Sequence, residues 1–597
     1  MVVEKFTKTS IVILTYNKLE YTQACIESIR KFTQRGNFEI IIVDNNSTDG
    51  TREWLAEQTD ILTIFNSENV GFPKGCNQGI EVASGDNIML LNNDIIVTEN
   101  WLPPMIEALY SSDKIGAVGP VTNSAYGYQE IPVSYNNLDE MLQFARNHNR
   151  HDSRQWERRL KLIGFCMIIK KDAIDRIGLL DEIFSPGMCE DSDYSFRLLE
   201  AGYELLLCKN VFIHHFGNTS FGEMPEGAKN LLASNRQKFL TKWGFHTATS
   251  TEIRHELIAL MDKHLINDPI RVLDVGCACG GTLLEVSNRY KNAELYGIEK
   301  NCYAAAVAAR FAKIENTDVE EELEYPSDFF DYIFLGNILE QLREPETVLR
   351  RLKRFLKQDG KVLAVIPNAM HHTVLRGLIN GRWTYTESGI LSKHNLRFFT
   401  LEELMKLFGA VGFNNIKYGS ITTSLSETDK RWVEQLSALV DSQNDYQFKT
   451  YQYTLVASHT QPNCIIDELL VNVEQGKTKE TSLKEIANLV RQGLIDTEGI
   501  IKAVNRGLKQ KQYVLNVLAN NFFAESLFES IIPLLNESLL INPEDTDTLF
   551  NYGFILYKIG AYEKALGFLE LIKMKDAETI GLIINITREI NSYHNQS

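Results

Sequence analysis

Three carboxylates, each delivered by an apolar run or a short acidic cluster, are the residues of this chain best suited to chemistry. Asp44 closes EIIIVD, Asp94 follows LLNN, and Asp191 stands beside Glu190 in GMCEDSDYSF. A carboxylate at the end of a buried strand can contact a nucleoside, because open α/β sheets bind ligands beyond the strand carboxyl ends. One like Asp94 can hold a hard cation that neutralises a diphosphate leaving group. One within hydrogen-bond reach of a hydroxyl can take its proton as the oxygen attacks. Around them, Thr15, Tyr16 and Asn17 end the first strand and wall the same crevice. NVGFPKGCNQGI offers Gly71, Gly75 and Gly79 for close backbone approach and Asn77 as a hydrogen-bonding side chain, and Asn92 and Asn93 precede Asp94. Asp193 and Arg197, at helical spacing, read as an ion pair.

Such residues need strands to carry them. From Ser10 to about Val211, short β-branched runs (SIVILTY, EIIIVD, NIMLLNND) alternate with amphipathic stretches, the rhythm of βαβ units and a mainly parallel sheet. A polar, helix-like stretch near Asn235 to His264 leads to IRVLDVGCACGG, where the rhythm restarts. RVLDVGCACGGTLLEVSNRYKNAELYGIEKN reads as strand, Gly-rich turn, helix and strand ending in an acid; the turn admits a nucleoside cofactor and Glu299 can hydrogen-bond ribose hydroxyls. After Ser458 strand signals vanish and Leu and Ile recur at helical spacing. The expectation is a multidomain α/β chain with an all-α end, divided at residues 1–247, 248–460 and 461–597.

Composition narrows the class. A length of 597 residues exceeds what one core organises, and 44% hydrophobic with 23% charged residues is globular throughout. A net charge of -17 argues against a general nucleic-acid binder. The amino end MVVEKFTKTSIVILTYN lacks a secretory pattern and no apolar run reaches membrane-spanning length, so a cytoplasmic protein is expected. Nine scattered cysteines fit reduced thiols, and Cys277 and Cys279 read as small loop residues.

The segments from Ser10 to about Phe221 resemble the family 2 inverting glycosyltransferases of the GT-A, or nucleotide-diphospho-sugar transferase, fold. LNND corresponds to that family's Asp-x-Asp metal motif with Asn92 in place of the first acid, which implies Asp94 as ligand of a divalent metal, Mn2+ or Mg2+. IGLLDEIFSPGMCEDSDYSFRLLEAGY is similar to the family's acceptor-side motif. It implies Asp191 as general base, beside Glu190, and His214 in VFIHHFGNTSF as a second metal or diphosphate ligand, a role adjacent His215 could also fill. Thr15, Tyr16, Asn17, Asp44, Gly71, Asn77, Gly79 and Asn93 are then the nucleotide-sugar contacts.

From about Ile270 to Lys417 the chain resembles class I S-adenosylmethionine-dependent methyltransferases, with their Rossmann-like fold, which implies Asp274, Gly276, Gly280 and Glu299 as cofactor residues. It departs from them at Ala278, where Gly is usual. Their Leu-Glu-His and His-Leu-Arg-Phe-Phe patterns stand here as Leu339-Glu340-Gln341 and Asn395-Leu396-Arg397-Phe398-Phe399, without the imidazoles, although His394 lies one position away. A structural spacer is the alternative. In the tail, NPEDTDTLFNYGFILYKIGAYEKALGFLELI resembles a tetratricopeptide repeat, with Leu549, Gly553, Leu556, Tyr562 and Ala565 at its interlocking positions and a weaker repeat over residues 512–545. An ordinary helical hairpin is the alternative there.

These resemblances imply a transferase that moves a sugar, UDP-N-acetylglucosamine being the expected donor, to a protein docked on the helical tail. A transferase with such a tail is similar to flagellin-modifying O-linked N-acetylglucosamine transferases of Gram-positive bacteria, so flagellin is the expected acceptor. The competing readings are a rhamnosyl- or hexosyltransferase, with methyltransferase, of surface-polysaccharide assembly, and a binding scaffold with vestigial enzyme domains. The intact set of Asp44, Asp94 and Asp191 speaks against the scaffold.

Overall fold

The computed structural model describes residues 8–125, 127–217, 226–440, 445–458, 462–491 and 495–594. Residues 218–221, which end the first resemblance, and residue 461, the last expected boundary, lie outside the described residues. Contacts divide the chain into two compact units. One takes the residues up to Val348 with Leu363–Pro367 and Gly381–Phe398; the other takes Leu349–Val362, Asn368–Asn380 and the residues from Phe399 onward. The division falls inside the 248–460 segment rather than at its ends.

In the first unit, β1 (Thr9–Thr15), β2 (Phe38–Asp44), β3 (Ile61–Phe65) and β4 (Asn87–Asn92) are followed by the short β5 (Ile95–Ile96), then β6 (Ile115–Val121), β7 (Trp156–Arg159), β8 (Cys166–Lys170), β9 (Glu204–Phe212) and the short β10 (His214–His215). The sheet runs β3-β2-β1-β4-β8-β6-β9-β7, while β5 and β10 form a separate antiparallel pair. Strands β1 to β4 are parallel to one another where they pair, and β8 enters antiparallel. Both sheet faces are covered: Ile11, Ile13, Ile40, Ile42, Met89 and Leu91 pack on one side, Val12, Ile41, Ile88 and Leu90 on the other. Burial on both faces is why these strands read as unbroken apolar runs, and each such side chain contributes about 1.5–3 kcal/mol.

Register decides where chemistry can occur. Thr15 lies opposite Asp44 and Leu14 opposite Asn92, so the carboxyl ends of β1, β2 and β4 finish in line. The turn after β1 is sharp, with Asn17 and Lys18 in the left-handed region at φ 59 and 65, and the Leu19–Phe32 helix starts at once, burying Cys25, Ile26 and Ile29.

The same unit contains a second set of parallel strands, β11 (Arg271–Val275), β12 (Glu294–Ile298), β13 (Lys313–Glu315) and β14 (Phe330–Gly336), in order β13-β12-β11-β14. It shares a core with the first sheet. Leu160, Phe184, Cys189, Phe196, Phe239 and Phe245 cluster with Cys279, Leu284, Ala304 and Val307. Arg159, at the end of β7, is buried between Glu157 and Glu285, the latter at 2.7 Å. Removing one partner of such a pair leaves a buried charge uncompensated.

The second unit holds the antiparallel pair Asn415–Thr422 and Thr450–Ser458, followed among the described residues by helices from Pro462–Gln475 to Ala577–His594. There Lys511–Ala524 packs on Ile531–Ile541, and Thr546–Lys558 on Tyr562–Glu570. Leu549, Leu556 and Ala565 are buried. A Cβ on Gly553 would lie 2.5 Å from Leu569 Cγ, so this glycine lets the two helices touch.

Candidate active site

Beyond the aligned ends of β1 and β4 opens a cleft of about 710 Å³. Its lining includes Thr15, Tyr16, Asn17, Gly71, Asn93, Asp94, Glu190, Asp191 and the alternative histidine His215 from the sequence-based expectation, and also Asn45, Asn69, Gly164, Pro186 and Met188. Asn17 ties two loops together: its N–H donates to Ser47 Oγ at 2.7 Å and its Oδ1 accepts from Thr48 N at 2.8 Å. Asn93 Nδ2 donates to Thr22 Oγ1 at 3.1 Å, and Tyr16 lies half exposed at the mouth.

Asp94 is buried and faces His215, Nε2 to Oδ1 at 3.2 Å. His215 Nδ1 lies 2.6 Å from the Ser124 carbonyl, which only accepts, so the Nδ1 proton is committed there and Nε2 points at Asp94. In the neutral ring two lone pairs would face each other, and the pair needs a proton or a cation between them. Burial opposes charge on His215, but the Asp94 hydrogen bond and charge hold it above the usual histidine value. A carboxylate oxygen and an imidazole nitrogen oriented by a backbone carbonyl are donor types that fit a divalent cation. Among the described residues no group of three such side chains surrounds a single point.

His214, the expected second ligand, is placed elsewhere. Its Nδ1 shares a hydrogen bond of 2.7 Å with Tyr135 OH, and burial, with His215 beside it, lowers its pKa. Successive side chains of a strand face opposite ways; His214 pairs with Ile96 and His215 with Ile95, so one of the two faces Asp94.

Asp191 and Glu190 begin the Glu190–Glu200 helix. Asp191 accepts from Gly164 N at 3.1 Å and from Ser192 N at 2.6 Å. Next to Gly164, the Phe165 ring stacks on His215 at 5.5 Å, so one short segment touches both Asp191 and the Asp94–His215 pair. Glu190 is buried with no hydrogen bond to Oε2, and burial together with the Asp191 charge pushes its carboxyl up to about 8. Just ahead of it Met188 and Cys189 are left-handed at φ 77 and 75, a cost of about 1–2 kcal/mol each for residues with a Cβ. Asp193 turns away, fully buried against Arg197 at 2.9 Å, Lys242 at 2.7 Å and Trp243 Nε1 at 2.9 Å.

Three expected contacts do not line the cleft. Asp44 is fully buried; its Oδ2 accepts from Arg52 at 2.9 Å and Ser47 N at 3.1 Å, and Oδ1 has no hydrogen-bond partner. Asn77 is a fold contact: Nδ2 donates to the Leu180 carbonyl and Oδ1 accepts from Leu180 N, both at 2.9 Å. Gly79 lets the Phe72–Val82 helix lie on β1, since a Cβ there would sit 2.4 Å from Val12 Cγ1. Overpacking a buried site costs about 1–3 kcal/mol. Gly79→Ala should therefore lower the melting temperature while a folded sample keeps wild-type donor affinity; a stable variant with lost affinity would return Gly79 to the binding site.

In the second sheet, Gly276 and Gly280 are left-handed at φ 73 and 79, and Ala278 joins them at φ 49 despite its Cβ. Glu299 directly follows β12 and accepts from Ala278 N and Asn301 N, each at 2.8 Å, leaving a lone pair on each oxygen for a ribose. Burial pushes Asp274 up to about 7, against the pull of Arg254. The two departures meet: the Glu340 carbonyl accepts from Leu396 N at 2.7 Å and Arg397 N at 2.9 Å. His394 is exposed, while Asn395 is buried on the Ile390 carbonyl at 3.0 Å.

Residues 10–178 match the model of glycosyl transferase family 2. The chain carries a family 2 glycosyltransferase domain. Residues 245–418 match a methyltransferase domain. The glycosyltransferase GlyG of Streptococcus pneumoniae is 34% identical over 125 residues, 20% of this chain and 40% of that protein. The glycosyltransferase AglE of Haloferax volcanii is 25% identical over 222 residues, 36% of this chain and 68% of that protein. A mannosyltransferase of Pyrobaculum calidifontis, solved with GDP-Man and Mn2+, aligns with 40% of this chain and 63% of its own, at 17% identity and a TM-score of 0.30. The chain spans less than half the length of several curated relatives it matches. Among the described residues no helix is long and apolar enough to cross a membrane.

Proposed function

We propose that the family 2 domain transfers a sugar from a nucleotide-diphospho-sugar to an acceptor hydroxyl, inverting the anomeric carbon. The observation that supports it is one cleft in which Gly164 and Phe165 join the Asp94–His215 pair to Asp191. Asp94 and His215 would hold a divalent cation, which when bound supplies positive charge against the departing diphosphate. Asp191 accepts the hydroxyl proton as the acceptor oxygen bonds to the anomeric carbon and the bond to the diphosphate oxygen breaks. Burial and the Asp191 charge raise the Glu190 carboxyl, which favours its protonated form, whereas Asp191 lines the cleft beside the Gly164–Phe165 segment and is the base in this reading. A single displacement inverts the centre and needs no covalent sugar intermediate.

The finer reading is a cytoplasmic enzyme using UDP-N-acetylglucosamine to modify a protein, flagellin being the expected acceptor, docked on tetratricopeptide-like repeats of the C-terminal helices. The paired helices and the Gly553 contact support the repeats. Glu299 and the left-handed turn support S-adenosylmethionine binding by the methyltransferase domain. The direct experiment is release of nucleoside diphosphate from a panel of nucleotide-sugars with Mn2+ or Mg2+. UDP-N-acetylglucosamine should be turned over; turnover of dTDP-rhamnose instead would favour polysaccharide assembly, and no turnover of any donor would remove the proposal. Deleting the residues after Asn463 should impair transfer to a protein more than donor hydrolysis, because docking energy is lost without touching the sugar site. Equal losses in both assays would make the tail purely structural.

A further inference from the structure

We propose that Asn235 is a positioning residue for sugar transfer, its buried carboxamide holding the loop that presents Glu190 and Asp191 to the cleft. The inference rests on the transferase reading above. Asn235 lies on the Glu226–Trp243 helix, fully buried, and its Nδ2 donates to the carbonyls of Phe184 at 2.8 Å, Gly187 at 2.7 Å and Met188 at 3.2 Å. Its Oδ1 has no hydrogen-bond partner, so the side chain's bonding serves this loop alone.

The loop needs such an anchor. Gly187, Met188 and Cys189 have successive positive φ values of 157, 77 and 75, and the two residues with side chains sit in the left-handed region immediately before Glu190. Pro186, Gly187 and Met188 also line the cleft, and the Pro186 carbonyl accepts from Phe72 N at 2.8 Å, so one loop borders both the Gly71 turn and the carboxylate pair. The same helix reaches the neighbouring chain again: Lys238 Nζ donates to the Ile183 carbonyl at 2.9 Å and Lys242 pairs with Asp181 at 2.6 Å. Those contacts are at the surface; Lys242 and Trp243 also reach buried Asp193 beyond the loop, and Asn235 supplies the buried contact to the loop itself.

A leucine at this position has similar bulk and no donor, whereas glutamine keeps the carboxamide on a longer stem. A misplacement of about 1 Å in a catalytic group can cost about 10²-fold. In the full chain, Asn235→Leu should lower kcat for transfer about 10²-fold, with donor KM within about twofold of wild type, and Asn235→Gln should recover part of the loss. Amide hydrogen exchange should accelerate in peptides spanning residues 184–193 and stay unchanged in those of β1 and β2. If the leucine variant does not fold, Asn235→Ser, whose hydroxyl is too short to reach the carbonyls, makes the same comparison. Transfer within a few-fold of wild type, unchanged exchange at 184–193, or faster exchange throughout the domain with donor KM rising in step would each overturn the role. Exchange is read without any sugar nucleotide, so a wild-type chain inactive on every donor would overturn the transferase reading instead.

Discussion

Asp191→Asn should lower the rate of sugar transfer about 10²- to 10⁴-fold, the usual range for a lost general base, while donor affinity stays nearly unchanged. The substitution keeps the shape of the side chain and removes its capacity to take a proton. It also affects structure modestly. Asp191 accepts from both Gly164 N and Ser192 N, and an amide can present an oxygen to only one of these donors, a loss of about 0.5–1.5 kcal/mol. The variant should therefore melt slightly earlier and remain folded, and the comparison belongs at saturating donor and acceptor. Transfer within a few-fold of wild type would remove Asp191 from the mechanism and make Glu190 the next candidate. Glu190 carries its own signature: its carboxyl is pushed up by burial and by the Asp191 charge, so a base at that position would show activity rising as pH approaches about 8.

Asp94→Ala should abolish metal-dependent turnover, because it removes the anionic oxygen that would hold the cation. Charge stabilisation by such a cation is worth several kcal/mol, which at about 1.4 kcal/mol per tenfold corresponds to about 10³-fold or more at limiting metal. The fold should tolerate the change, since the Asp94 backbone carbonyl, which accepts from Phe216 N at 3.0 Å, is untouched. Wild-type turnover at limiting metal would sink the assignment, and His215→Ala should weaken the metal dependence in the same direction.

The strands that carry these residues are legible because burial on both faces writes them as continuous Ile, Val and Leu, and the register of β1 with β2 and β4 follows from parallel pairing. Polar residues at their ends stand out against that background. Which histidine faces Asp94 is not legible: β10 has two residues, and the facing one depends on its pairing with β5, more than a hundred positions away. Glycines in NVGFPKGCNQGI look alike in sequence, yet Gly71 borders the cleft and Gly79 serves a helix–strand contact, because the helix turns one face to β1. Asp44 ends the expected strand, but its neighbour Arg52 covers it at 2.9 Å, a side-chain choice that no strand pattern encodes. Asn235 is hidden for a further reason: its partners are backbone carbonyls about fifty residues earlier, and carbonyls leave no trace in residue identity.

If the cleft holds a nucleotide diphosphate through a cation at Asp94 and His215, nucleotide binding must depend on the metal. Isothermal titration of the full chain with UDP, with Mn2+ present and then with the metal chelated, tests it most directly. One binding event per chain should appear with Mn2+ and disappear on chelation and in Asp94→Ala, while Asp191→Asn retains it. Binding of equal strength with and without the metal, or in the Asp94→Ala chain, would contradict it.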